Sequence, residues 1–347
     1  MLKKVLTGVA IGLASFAITS APSFAAVTDP GVLGTINSSG GTNASDGLKL
    51  DITYGQVQVG RKGDGQIFPH ASLPCDNTYD CGPSSYPVVV LDDGTGTNHL
   101  IGDSPDWDSF TSEVTLTDSG RSGVVVNHLT YGSGTSLVTA DVTYTYTYPN
   151  QYFNVKVDLT SLGTDYAGWS HRLAWYVDSY LEGSDSGYQF GGTTPGGQTV
   201  AGVYNAAGTQ IEAFRQVAGQ SLNWFAGYYT CPYSSGTADE CGVPTGSGFL
   251  EDFVDFPNVV ASEPSTQDNG FGVNKGVSTA STDSMTFDLI FAECLNEAPL
   301  PCADSALGTA SLPNTGASHV TLISLALSGT LLAALGVVLV AIRRQRA

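Results

Sequence analysis

Residues 137–159 constrain this chain more than any other stretch. From Leu137 to Tyr148, apolar and polar residues alternate without a slip, so Val138, Ala140, Val142, Tyr144, Tyr146 and Tyr148 share one face. Period two is the signature of a β-strand with one buried face. Pro149-Asn150-Gln151 turns the chain. Phe153, Val155, Val157 and Leu159 then return on one side, with Asn154, Lys156 and Asp158 on the other. A long hairpin with three tyrosines on one side has to bury that side, which calls for a second layer of structure.

The same period recurs along most of the chain. Leu48, Leu50, Ile52 and Tyr54, continued by Val57 and Val59, read as one half-buried strand, and Pro87–Leu91 as a short, fully apolar one. Val114–Thr117 and Val124–Tyr131 follow, then His171–Glu182 and a hairpin of Val200–Tyr204 with Ile211–Val217. Leu222–Thr230, Phe249–Phe256 and Met285–Ala292 complete the series. No amphipathic helical stretch of useful length occurs between Ala26 and Ser311. With 42 glycines and 13% charged residues, the chain has the texture of an extracellular all-β protein with many turns. The expected fold is one large antiparallel β-sandwich over 26–302, since the longest hairpin lies where a two-domain boundary would fall. Tyr144–Tyr148, Phe153–Leu159 and Leu173–Leu181 together loosely resemble the galactose mutarotase-like super-sandwich, which implies the same architecture.

Both ends read as processing segments. Met1-Leu2-Lys3-Lys4 is basic, Val5–Thr19 is apolar, and Ser23 and Ala25 are small residues at cleavage-site spacing. That is the order of a secretory signal peptide, removed after Ala25, over 1–25. At the other end, Leu312-Pro313-Asn314-Thr315-Gly316 precedes an apolar run, Val320–Ile342, and then Arg343-Arg344-Gln345-Arg346-Ala347. At 1.5 Å per residue that run is long enough to cross about 30 Å of hydrocarbon as a transmembrane helix, and the basic tail (343–347) orients it with that end inside.

Pentapeptide, apolar span and basic tail in this order resemble the cell-wall sorting signal of Gram-positive surface proteins. The resemblance implies that a sortase cysteine attacks the Thr315 carbonyl and releases Gly316 onward. An amine of the wall precursor then takes over Thr315. Sortase and covalently bound peptidoglycan are the implied partners, with membrane contact only before sorting. Pro313 favours the extended peptide such cleavage needs, because it steers Leu312 away from helical geometry. Only the linker 303–311 separates Cys302 from the motif, a reach of about 30 Å at 3.3–3.6 Å per residue.

The exported part carries few positive charges. Loss of Lys3, Lys4, Arg343, Arg344 and Arg346 leaves 8 of 13 basic residues against 32 acidic ones, a net charge of −24. Such a surface repels nucleic acid. Six cysteines lie as near neighbours, Cys75 and Cys81, Cys231 and Cys241, Cys294 and Cys302. They allow 15 connectivities, of which local pairing is the simplest, and export permits oxidation. No C-x-x-C occurs and His70 is the only histidine near a cysteine, which disfavours zinc. Disulfides in a protein that resembles Gram-positive surface proteins imply an actinobacterial source, since many low-GC members of that class avoid cysteine.

Candidate ligand residues are sparse. On the His171–Glu182 strand, Leu173, Trp175 and Val177 take one face. Arg172, Tyr176, Asp178 and Tyr180 take the other, with Glu182 and a tryptophan such as Trp224 nearby. Aromatics beside carboxylates suit a carbohydrate ligand. Asp103, Asp106 and Asp108 form an acidic loop that is a weak calcium candidate, since no twelve-residue calcium loop is present. G-x-S-x-G, H-E-x-x-H and phosphate-binding glycine loops are absent, and nothing implies a cofactor. Tyr148-Pro149 is followed by Asn150, not by the lysine a pilin shaft would use. The chain therefore reads as a wall-anchored, non-enzymatic β-sandwich with a binding or structural role. The alternative is a wall-retained carbohydrate-binding protein or carbohydrate-active enzyme.

Overall fold

A computed structural model describes residues 25–26, 33–41, 46–52, 57–60, 85–96, 98–102, 107–179, 181, 184, 186–193, 198–205, 210–261 and 268–293. The pentapeptide 312–316, the apolar run 320–342 and all but Ala25 of residues 1–25 lie outside them. No helix among the described residues is long and apolar enough to cross a membrane.

Eighteen strands account for most of this part. They are β1 (Ala25–Ala26), β2 (Gly34–Ile36), β3 (Lys49–Ile52), β4 (Val57–Gly60), β5 (Ser85–Asp92), β6 (Asn98–Ile101), β7 (Ser109–Thr117), β8 (Ser122–Tyr131) and β9 (Val138–Tyr146). Then come β10 (Tyr152–Leu162), β11 (Ser170–Asp178), β12 (Gly187–Thr193), β13 (Thr199–Asn205), β14 (Gln210–Gln216), β15 (Leu222–Tyr228), β16 (Val259–Val260), β17 (Asn269–Lys275) and β18 (Asp283–Glu293). One short α-helix, α1 (Ala238–Cys241), follows β15.

A nine-stranded sheet runs β1-β7-β8-β9-β10-β18-β14-β13-β12. A six-stranded sheet runs β16-β15-β17-β11-β5-β6, and a three-stranded one β2-β3-β4. The expected hairpin forms as β9 and β10, with Tyr144 opposite Val155 and Val142 opposite Val157. The residues 48–59 are not one strand, however. β3 and β4 pair antiparallel, Leu50 opposite Val59, so the chain reverses where alternation alone suggested continuity.

All three sheets feed one core. The nine-stranded sheet contributes Val142, Tyr144, Phe153, Val155, Phe287 and Phe291, and the six-stranded sheet Val89, Leu173, Trp175, Val177 and Val273. Ile36, Leu50 and Val59 of the three-stranded sheet join them. Trp175 lies edge-on to Tyr144 (6.2 Å) and to Phe287 (5.7 Å), and Phe153 stacks on Phe291 at 5.8 Å. Each such ring removes some 150–250 Å² from water, and Trp175 is the ring through which this layer joins the six-stranded sheet to the nine-stranded one. Trp175 donates its Nε1–H to Ser85 Oγ at 2.8 Å, so its polar atom is satisfied in the dry interior. Trp224 packs across the interior onto Gly191, where a Cβ would lie 2.3 Å from the indole. Only glycine tolerates that approach.

Candidate functional site

Strand β11 is buried on both faces from His171 to Val177. Its inward face is the aromatic layer. Its outward face, which sequence alternation assigned to a ligand, carries Arg172 and Tyr176 at 8% and 3% exposure. A flap made by residues 229–256 covers them. Tyr86, Val88, Val90, Ala174 and Tyr176 of the sheet meet Phe249, Leu250 and Phe256 of the flap in a second apolar cluster.

The flap is held by covalent, polar and aromatic contacts. Cys231 and Cys241 form a disulfide, the expected local pairing, with Cα atoms 5.7 Å apart. Thr237 and Glu240 make a reciprocal capping box at the start of α1, and Gly242 ends it at φ +78°. The Arg172 guanidinium donates to the Phe253 carbonyl (3.2 Å) and to Asp255, and it lies 4.7 Å from the Phe253 ring centre. Tyr176 donates its hydroxyl to the Tyr229 carbonyl, and burial pushes its pKa well up. Phe249–Phe256, expected as a strand, is a run of turns, with Phe253 at φ +52°. Its apolar residues are spaced to plug the sheet, not to extend it.

Arg172 and Tyr176 are therefore structural anchors of the flap in this arrangement. Asp178 is half-buried at the end of β11. Trp224 faces the other side of the sheet, since it pairs through Val273 with inward-facing Trp175. Tyr180 and Glu182 lie outside the described residues, as do Asp103, Asp106, Cys75, Cys81, Cys294 and Cys302. Asp108 accepts a hydrogen bond from the Gly132 amide at 2.7 Å. Among the described residues no group of three or more His, Cys, Asp or Glu is placed to hold a metal.

A polar cluster between the sheets went unnoticed in the sequence. Glu212 is fully buried, in register between Val203 and Phe291 on the inner face of the nine-stranded sheet. Ser179, just past β11, donates its hydroxyl to Glu212 Oε2 at 2.8 Å, and Gln189 donates to Asn269 Oδ1. Strand parity held the signal, because Glu212 shares a face with Phe214. A buried carboxylate that accepts a hydroxyl can bind hydroxyl groups or move a proton. Glycoside cleavage needs two carboxyls converging on one bond. Asp178 does not supply the second, because it sits one residue out of phase with Ser179, on the opposite face of β11.

A second buried polar group lies toward the other end of the sandwich. His171 is inaccessible to solvent, with Nε2 3.3 Å from Asp283 Oδ2, and Lys275 also reaches Asp283. Burial lowers the His171 pKa, Asp283 opposes that shift, and Lys275 adds to it. The imidazole and carboxylate tie β11 to the start of β18 across the core.

No protein-family model and no curated protein matches the sequence. Among solved structures, the chain is similar to part of a bacterial glucoamylase complexed with acarbose, at 13% identity and a TM-score of 0.42. The match covers 81% of this chain and 35% of the glucoamylase chain. The chain thus spans about a third of that protein, and a likeness at this level carries no functional argument.

Proposed function

We propose that this chain is a cell-wall-anchored surface protein whose all-β head is displayed outside the cell, without catalysis. One observation carries the reading, the order Leu312-Pro313-Asn314-Thr315-Gly316, apolar run 320–342 and arginine-rich tail. A sortase cuts between Thr315 and Gly316, and Thr315 becomes amide-linked to peptidoglycan. The apolar run holds the precursor in the membrane until the cut. The segment 303–311 then tethers the head within about 30 Å of the wall attachment. A head held so close suits wall-proximal contacts better than long-reach adhesion.

The non-enzymatic reading of the head is supported by the flap over the Arg172–Tyr176 face and by the failure of Asp178 and Glu212 to converge. The test is chemical. Thr315→Ala should move the protein from the muramidase-released wall fraction to the membrane or the medium. Wall linkage that survives the substitution refutes the assignment.

A further inference from the structure

The sandwich end where β10 crosses to β11 carries half-buried and exposed aromatic rings that neither the core nor the flap uses fully. Residues 163–169 make this crossing as a chain of tight turns. Tyr166 N–H donates to Gly163 O (3.0 Å), Ala167 N–H to Thr164 O (3.2 Å) and Trp169 N–H to Tyr166 O (3.1 Å). The crossing is also pinned to the β8–β9 connection. Gly163 N–H donates to Leu137 O at 2.7 Å, and Asp165 accepts from Thr135 Oγ1 (3.1 Å) and Ser136 Oγ (2.6 Å). Gly168, at φ +85°, provides the last reversal before Trp169.

The turns present Trp169 as a platform. Its ring is half-buried, with Tyr166 edge-on at 5.2 Å and His99 at 5.3 Å, tilted 34°. His99 is exposed on β6, the edge strand of its sheet. Burial raises the Tyr166 pKa, and Tyr131 and Asp165 add to the shift. Plugging the end of the sandwich accounts for the inner edge of Trp169. It does not account for an exposed imidazole on an edge strand laid against the indole.

We propose that Trp169, His99 and Tyr166, with Asp165 at their rim, form a binding platform for a neutral hexopyranose chain. The negative faces of the rings suit the partly positive C–H face of a pyranose, and the rim carboxylate and hydroxyls suit its hydroxyl groups. The full chain's net charge of −19, from 13 basic and 32 acidic residues, opposes anionic polymers and leaves neutral sugars favoured among polysaccharides. Because the turns fix the rings before binding, little ordering entropy is lost. The platform stands apart from the wall-anchor reading and does not depend on it.

The experiment titrates the full chain, held in a detergent without a sugar headgroup, with hexaoses of β-1,4-glucose, α-1,4-glucose and β-1,4-mannose and with a proline-rich decapeptide. Tryptophan fluorescence and calorimetry report binding. The expected result is saturable binding of at least one hexaose, weakened about tenfold by Trp169→Ala and about threefold by His99→Ala, while Leu116→Ala leaves it unchanged. Trp169→Phe is a second variant, expected to keep the fold and most of the affinity if Trp169→Ala unfolds. No hexaose binding at about 10 mM, equal binding by folded Trp169→Ala, or capture of the peptide in place of the sugars overturns the proposal.

Discussion

Tyr146→Phe tests how the three-stranded sheet is fastened to the nine-stranded one. Tyr146 is 1% exposed, and its hydroxyl does two tasks. It accepts the Leu48 amide proton at 2.9 Å, 98 residues away in sequence, and donates to Asn150 O at 3.1 Å. Gly47, at φ +69°, leaves room for it, since a Cβ there would lie 2.3 Å from the hydroxyl oxygen. Phenylalanine keeps the ring and strands the Leu48 N–H, whose residue is fully buried. An orphaned buried donor costs about 1–3 kcal/mol, so a loss of about 2 kcal/mol is expected at pH 7. The same hydroxyl gives an internal check. Burial pushes its pKa up to about 12 from 10.0, with the Leu48 amide opposing the shift. A raised acid pKa contributes stability that is complete below the unfolded value and is lost as pH rises through the folded one. Between pH 10 and 12 the unfolded wild type ionises at residue 146 and the mutant cannot. The gap between the two should narrow by about 1 kcal/mol by pH 11, after allowance for solvent screening. Other buried tyrosines cancel in the difference. Urea unfolding of both chains, followed by tryptophan fluorescence at pH 7 and pH 11, measures it at constant m. A penalty under about 0.5 kcal/mol at pH 7, or a gap that widens at pH 11, refutes the reasoning.

Two further tests address the flap and the buried histidine. Cys231→Ser with Cys241→Ser opens a loop closed over a separation of 10 residues and should cost about 2.7 kcal/mol by chain entropy. Amide exchange should rise across residues 229–256; unchanged exchange there would show that the Arg172 and Tyr176 contacts suffice. For His171, the lowered folded pKa means that stability is complete above the unfolded value of 6.5 and falls as pH drops through it toward the folded value. Melting temperature between pH 8 and pH 5 should decline in the wild type and flatten in His171→Asn, with Asp283 and Lys275 facing the group in both; parallel slopes would sink this account.

Alternation told most about strands with one buried face. The β9–β10 hairpin reads directly from Val138 to Leu159, because each inward residue meets the core and each outward one meets water. The signal weakens where both faces are covered. In β11 it separates Leu173, Trp175 and Val177 from Arg172, Ala174 and Tyr176, and both sets are buried. A polar residue at an outward position then looks like a ligand group until the cover is seen. That cover is Phe249–Phe256, a non-local partner whose irregular backbone has no period to read. The break between β3 and β4 was hidden for a related reason. Leu50, Ile52, Val57 and Val59 are all buried, so the apolar run gave no sign of where the chain reverses.

The position of Glu212 sharpens what this head can do. A carboxylate is seldom fully buried without partners, because desolvation costs several kcal/mol. Here it sits on the same inner face as Phe214 and Val203 and takes a hydroxyl from Ser179 on the opposite sheet. Contact of that kind fixes the register of one sheet over the other beside Phe291 of the aromatic layer. Asp178, its neighbour along the chain through Ser179, is turned away by the pleat. These two carboxylates are thus divided between the interior and the flap side. What faces solvent at the β10–β11 end is instead a set of rings on rigid turns. Such rings, on the proposal above, would hold a ligand by contact alone.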